Sequence, residues 1–233
     1  MAAQPMAHPA AVRESDRAVI GRTLALVLVL AHPVAAQALD VQTERYQAAA
    51  TAGAVGTLTG RVFDERRRPA AAERPLSGVS VILLPRSAEF LRKLDEVKRK
   101  ARDSANEYRA SAPAILSLKA GYEKALWEAG AADLVKATAV DSDGRFTIEN
   151  LPAGDWVLIA THSVSVEKHG IESDPGRRRN IYTPGSRLTG YQVVAIWLHE
   201  ISVTKGSAAR VDLMDRNVWL SGIVEDRTPG AGR

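Results

Sequence analysis

The stretch Thr138–Gly154, TAVDSDGRFTIENLPAG, constrains the fold more than any other part of the chain. Thr138, Val140, Phe146 and Ile148 alternate on either side of Asp141-Ser142-Asp143-Gly144. Alternation bounded by turn residues predicts two strands of a hairpin. Asp141 can bond its own backbone two residues on, and Gly144 can take the positive φ that such a turn needs. Leu151-Pro152-Ala153-Gly154 then stops the strand, and Trp156–Val166 begins another.

The run from Asp141, D-x-D-G-x-F-x-I-x-N-L-P-A-G, is followed from Trp156 by W-x-L-x-A. Together they resemble the carboxypeptidase regulatory-like domain, a prealbumin-type sandwich akin to the carbohydrate-binding-like folds. Thr57–Asp64 is similar to that family's opening strand, G-x-V-x-D, and Pro75–Leu83 to its second, P-L-x-G-V-x-V-x-L. A Y-x-P-G segment like Tyr182-Thr183-Pro184-Gly185 is common in its bacterial members. The resemblance covers roughly residues 57–86 and 135–226. It implies a mainly β, Ig-like or prealbumin-like antiparallel β-sandwich with an accessory rather than catalytic role. Val79, Val81 and Leu83 should point into such a sandwich, as should Trp156, Leu158 and Ala160.

The chain departs from the family after the second strand. Between Ser87 and Gly130, Phe90, Leu94, Val97, Ala101, Ala105 and Tyr108 recur at steps of three and four, and so do Ile115, Leu118, Tyr122, Leu126 and Ala129. Two helices are predicted, an inserted hairpin over 87–130. Ser87 caps the first, and Glu89, Asp95 and Glu96 each precede a basic residue by four. Ser111-Ala112-Pro113 is expected to separate the helices and Gly130 to end the second. The strands beside the insertion are apolar on both faces: Ile82 and Leu84 oppose Val81 and Leu83, and Val157 and Ile159 oppose Trp156 and Leu158. Such strands need a cover, and the hairpin is placed on an outer sheet face. Gln192–Leu198, Ile201–Thr204 and Ala209–Met214 read as further strands. Trp219–Asp226 repeats the alternate residues of Thr57–Asp64 and is placed as an edge of the same sandwich, the alternative being an unpaired strand that adds itself to a partner's sheet.

Residues 1–38 have the form of a secretory signal peptide: arginines, the apolar run Thr23–Val34, then small residues, with cleavage after Ala36 or Ala38. The run is shorter than the ~20 residues that span a bilayer. An exported chain, periplasmic or secreted, without a membrane span after processing, is expected. Residues 39–56 read as a weak helix or linker, 57–226 as the sandwich and 227–233 as a tail. Of the 31 basic and 27 acidic residues, three arginines and two acids precede Gln37, leaving +3 for the rest. That is too weak to argue for nucleic acid. The absence of cysteine excludes disulfide frameworks, cysteine nucleophiles and a lipidated cysteine anchor.

The candidate sites are sparse. Asp141, Asp143 and Gly144 resemble half a calcium loop, but Phe146 and Pro152 stand where an EF-hand needs Gly and Glu. His162, His169 and His199 lack the close spacing of zinc ligands. Neither a metal nor a cofactor is expected. The prealbumin fold also hosts 5-hydroxyisourate hydrolase, whose C-terminal Tyr-Arg-Gly-Ser this chain lacks. Trp127, Trp156, Trp197 and Trp219 are assigned to core packing, against sugar stacking. Two basic triplets, Arg66-Arg67-Arg68 and Arg177-Arg178-Arg179, together with Tyr182, are the candidate binding residues for an anionic glycan or headgroup. The function read from the sequence is a non-enzymatic binding module for an envelope or extracellular protein or a glycan. The alternatives are a carbohydrate-binding module and, behind it, a hydrolase.

Overall fold

The structure, a computed structural model, describes residues 40–65, 73–167 and 187–228. It opens with a helix, α1 (Thr43–Thr51), then β1 (Val55–Asp64), β2 (Arg74–Pro75) and β3 (Ser80–Pro85). Two helices follow, α2 (Ala88–Lys100) and α3 (Ala105–Glu128). The rest is β4 (Lys136–Ala139), β5 (Arg145–Pro152), β6 (Gly154–Glu167), β7 (Arg187–Val203), β8 (Ala208–Met214) and β9 (Leu220–Thr228).

These strands form two sheets. In one, β1 pairs antiparallel with β2 and β5 and parallel with β8. The other runs β4-β3-β6-β7-β9 and is antiparallel throughout. The fold is the expected β-sandwich with an inserted helical hairpin, and β1–β8 is the one parallel pairing among the described strands. Leu58, Val62, Phe146 and Leu213 of the first sheet are buried, as are Val81, Leu83, Trp156, Leu158 and Trp197 of the second. The two large indoles satisfy their polar edge, as buried tryptophans must. Trp156 Nε1 donates to the Pro152 carbonyl at 3.0 Å, and Trp197 Nε1 to the Met214 carbonyl at 2.7 Å, tying β7 to β8 of the opposite sheet.

The Asp141–Gly144 turn forms by the anticipated chemistry. The Asp141 carboxylate accepts from the Asp143 and Arg145 amides at 2.9 and 2.8 Å, and Gly144 has φ +73°. A Cβ on Gly144 would stand 2.5 Å from the Val62 carbonyl oxygen. The strands it joins are not a hairpin, however. β4 pairs with β3 in one sheet and β5 with β1 in the other, so the turn is a corner between layers. Alternation specifies faces, and it does so equally for a hairpin and for a corner.

Two further expectations are corrected. The segments 192–198 and 201–204 belong to one strand, β7, because His199 and Glu200 continue its alternation instead of breaking it. The two helices separate at residues 101–104, not at Ser111–Pro113. Ser104 caps α3 by accepting from the Glu107 amide, and the helix runs through Pro113. Ala105 and Tyr108 therefore belong to α3, and Tyr108 is exposed.

The hairpin lies on the outer face of the five-stranded sheet. Ile82, Leu84, Val157, Ile159, Val194 and Ile196 point away from the sandwich interior, and all are buried. Phe90 and Leu94 of α2 and Ile115, Tyr122 and Leu126 of α3 are buried beside them. The Tyr122 hydroxyl donates to the Pro85 carbonyl at 2.9 Å. Where α3 crosses β9, a Cβ on Gly222 would come within 2.7 Å of Ala112 Cβ.

Candidate functional site

The hairpin also borders two hollows of the described surface. Its geometry begins with the cap of α2. Ser87 Oγ accepts from the Phe90 amide at 2.9 Å, satisfying one of the free N–H groups of the first turn. Asp40, just ahead of α1, accepts from the Ser87 hydroxyl and from the Glu89 amide. Burial works to raise the Asp40 pKa, but the bonds from Ser87 and Glu89 outweigh it and the carboxyl is held below its ordinary value. The segment read as a linker thus helps fix the start of α2.

Tyr46 of α1 completes this anchor. Its ring meets Trp156 edge-on at 5.1 Å, and its hydroxyl donates to the Asp155 carbonyl. A Cβ on Gly154 would stand 2.5 Å from the Tyr46 ring. The last glycine of N-L-P-A-G is therefore the seat of a helix that precedes the sandwich in sequence.

Two hollows flank α2. One, of about 500 Å³, lies between α2 and α3. Phe90, Val97, Leu118 and Tyr122 give it an apolar lining, and Gly121 leaves it open. Phe90 stacks on Tyr122 at 4.5 Å, and burial drives the Tyr122 pKa upward, so the ring stays neutral. Lys93 and Glu89 stand at its rim, paired at 2.7 Å. The other, of about 630 Å³, lies on the opposite side of α2 and is lined by Arg86, Arg92, Lys98, Arg99 and Arg102 with Asp95 and Glu200.

The residues singled out from sequence fare differently. Arg66, Arg67, Arg68, Arg177, Arg178, Arg179, Tyr182 and His169 lie outside the described residues. His162 and His199 stand on β6 and β7, opposite Ala195 and Leu158 respectively, four register positions apart. Among the described residues no three His, Cys, Asp or Glu side chains gather as a metal site. Trp156 and Trp197 are core residues as expected, and Trp219 is half-buried with the Lys98 ammonium 4.6 Å from its ring centre. Trp127 departs from the expectation. It is 70% exposed, because it falls on the outward side of the last turn of α3.

Sequence reasoning missed Asp40, Tyr46 and the basic face of α2. The last had a signal: Arg92, Asp95, Arg99 and Arg102 recur at steps of three and four. Reading the charges only as pairs along the helix concealed it. The Glu89–Lys93 and Glu96–Lys100 pairs form, at 2.7 and 2.9 Å, whereas Arg99 makes no ion pair with Asp95 among the described residues.

No protein-family model matches the chain, and no curated protein matches it. Solved structures do. A candidate carbohydrate-binding protein from Pseudomonas aeruginosa is similar over 69% of this chain and 88% of its own, at 13% identity and TM-score 0.37. The minor pilin GBS52 of Streptococcus agalactiae is similar over 77% of this chain and 48% of its own, at 13% identity and TM-score 0.29. The pilus backbone protein RrgB of Streptococcus pneumoniae is similar over 67% of this chain and 40% of its own, at 14% identity and TM-score 0.23.

Proposed function

We propose that the chain is an exported, non-enzymatic binding module of the carboxypeptidase regulatory-like type, and that it binds an envelope or extracellular component through its helical hairpin. The observation that carries this reading is the apolar hollow of about 500 Å³ between α2 and α3. Concave, mostly apolar surfaces with a few polar groups at the rim are the usual form of a binding site. The motif residues support a scaffold role, since Asp141, Gly144 and Gly154 are used in building the sandwich. A photo-crosslinking side chain at Gly121, inside the hollow, should trap a component of the native host's envelope. One at Thr147, on the exposed face of β5, should not. The trapped component should keep its mass on prolonged incubation with the protein. Equal capture from both positions, or chemical conversion of the component, overturns the reading.

Trp127 favours the second reading, a carbohydrate-binding module, because an exposed indole offers a face to a sugar ring. Trp219, the other tryptophan that is not fully buried, sits by Lys98, away from the C-terminal end of α3. A glycan whose binding quenches tryptophan fluorescence in the parent but not in Trp127→Phe would favour it over the first.

A further inference from the structure

We propose that the hollow on the side of α2 away from the groove is an oxyanion site for a saccharide carrying sulfate or phosphate groups. It is a second surface, independent of the apolar groove. Five cations and two carboxylates line it. Arg86 is neutralised by Glu200. Arg92 reaches Glu96 only at 3.9 Å, and that carboxylate is already bonded to Lys100 at 2.9 Å. Among the described residues the Arg99 and Arg102 guanidiniums make no ion pair, and both side chains are exposed.

Stabilising the helix is not a sufficient reason for this cluster. Cations in the last turn complement the helix dipole, which accounts for Lys98 and Arg99. Arg86 and Arg92 stand at the N-terminal half, where the same dipole opposes a positive charge. Four of the five cations are arginines, whose planar fork holds sulfate, phosphate or carboxylate by paired hydrogen bonds. The floor includes Leu91, and Trp219 lies alongside under Lys98, so apolar surface suited to a sugar ring adjoins the charge. The shape argues against a bilayer. The site is concave, and none of the exposed large apolar side chains, Tyr108, Trp127, Val164, Tyr191 and Val193, belongs to it. A surface that docks on membrane projects fully exposed apolar side chains beside its cations, whereas Leu91 and Trp219 are half-buried.

The test uses the chain from Gln37 onward, a heparin octasaccharide as probe, neutral dextran as control, and phosphatidylglycerol vesicles as a separate arm. The parent should bind the octasaccharide and not dextran, and more weakly as salt rises. Arg99→Glu/Arg102→Glu should lose at least roughly tenfold in affinity, the equivalent of about 1.4 kcal/mol. Its crosslinking at Gly121 should be unchanged, which separates this site from the groove. The amides of Arg99 and Arg102 should shift in the parent's NMR spectrum on titration, a readout independent of any variant. No octasaccharide binding by the parent overturns the proposal. So does undiminished binding by the variant without shifts at those amides, which would place the ligand elsewhere on the chain. Binding to vesicles but not to the octasaccharide overturns it in favour of a membrane surface.

Discussion

Single positions in this chain are set by what leans on them. Gly60, the glycine of the opening G-x-V-x-D, is required because a Cβ there would lie 2.2 Å from the Phe146 ring of the paired strand. Gly222, its counterpart in the C-terminal repeat, makes room for Ala112 of α3 instead. The same residue at the same place in a repeated motif thus serves a cross-strand aromatic in one copy and a helix in the other. His199 shows the opposite case, a polar group that no described residue serves. Its Nε2 is buried with no hydrogen-bond partner among the described residues, and burial lowers the ring's pKa below the usual 6.5. The unfolded chain then binds the proton more readily than the folded one, so stability is lost as pH falls through and below that value. The urea midpoint should drop between pH 7.5 and 5.5, and His199→Leu should flatten the drop. An unchanged slope in the variant would assign the effect to other groups. The turn at Asp141 was readable because its chemistry is local. The need for Gly154 was not, since the ring it accommodates, Tyr46, belongs to an alanine-rich stretch far upstream.

At the scale of elements, the helical hairpin shows how far pattern reading reaches. The apolar stripes of Phe90 and Leu94, and of Ile115, Tyr122 and Leu126, announced two helices, and the doubly apolar strands announced a cover. The break between the helices was misplaced because Pro113 is the louder signal. The quieter Ser104-x-x-Glu107 capping pattern is the one the backbone follows. Docking has an energetic consequence. Six side chains of the sheet, Ile82, Leu84, Val157, Ile159, Val194 and Ile196, owe their outer cover to α2 and α3. Each is worth roughly 1.5–3 kcal/mol when buried, which together rivals the ~5–15 kcal/mol stability of a whole domain. Replacing residues 87–130 with a short Gly-Ser linker should leave the sandwich unable to fold cooperatively. The milder Leu94→Ala should lower stability by about 2–5 kcal/mol. Both can be followed by urea unfolding. Parent-like transitions in both would mean that the hairpin rests on the sheet without supporting it.

Over the whole molecule, the faces of strands were legible and their partners were not. Val81, Leu83, Trp156 and Leu158 face inward as their alternation requires. Nothing in a single strand's sequence says that β4 and β5 part company into different sheets, or that β8 joins β1 in parallel, since both depend on residues far apart along the chain. Among the described residues no helix is long and apolar enough to cross a membrane. The export proposal rests on residues 1–38. Mass spectrometry of protein from the native host's envelope or medium should find Gln37 or Leu39 as the first residue. An intact N-terminus in the cytosolic fraction would refute export.

The chain leaves the five-stranded sheet after Pro85 and comes back at Lys136, whose partner across the ladder is Leu83. Departure and return thus fall on adjacent strands, about 5 Å apart. A segment with neighbouring ends behaves as a cassette. The sheet dictates only its underside, through Phe90, Leu94, Ile115 and Leu126. The upper side is free to drift. Under the proposed function, changes on that upper side alter binding while the packed underside stays fixed, and grafting the hairpin of a homologous chain onto this sandwich should carry its binding specificity across.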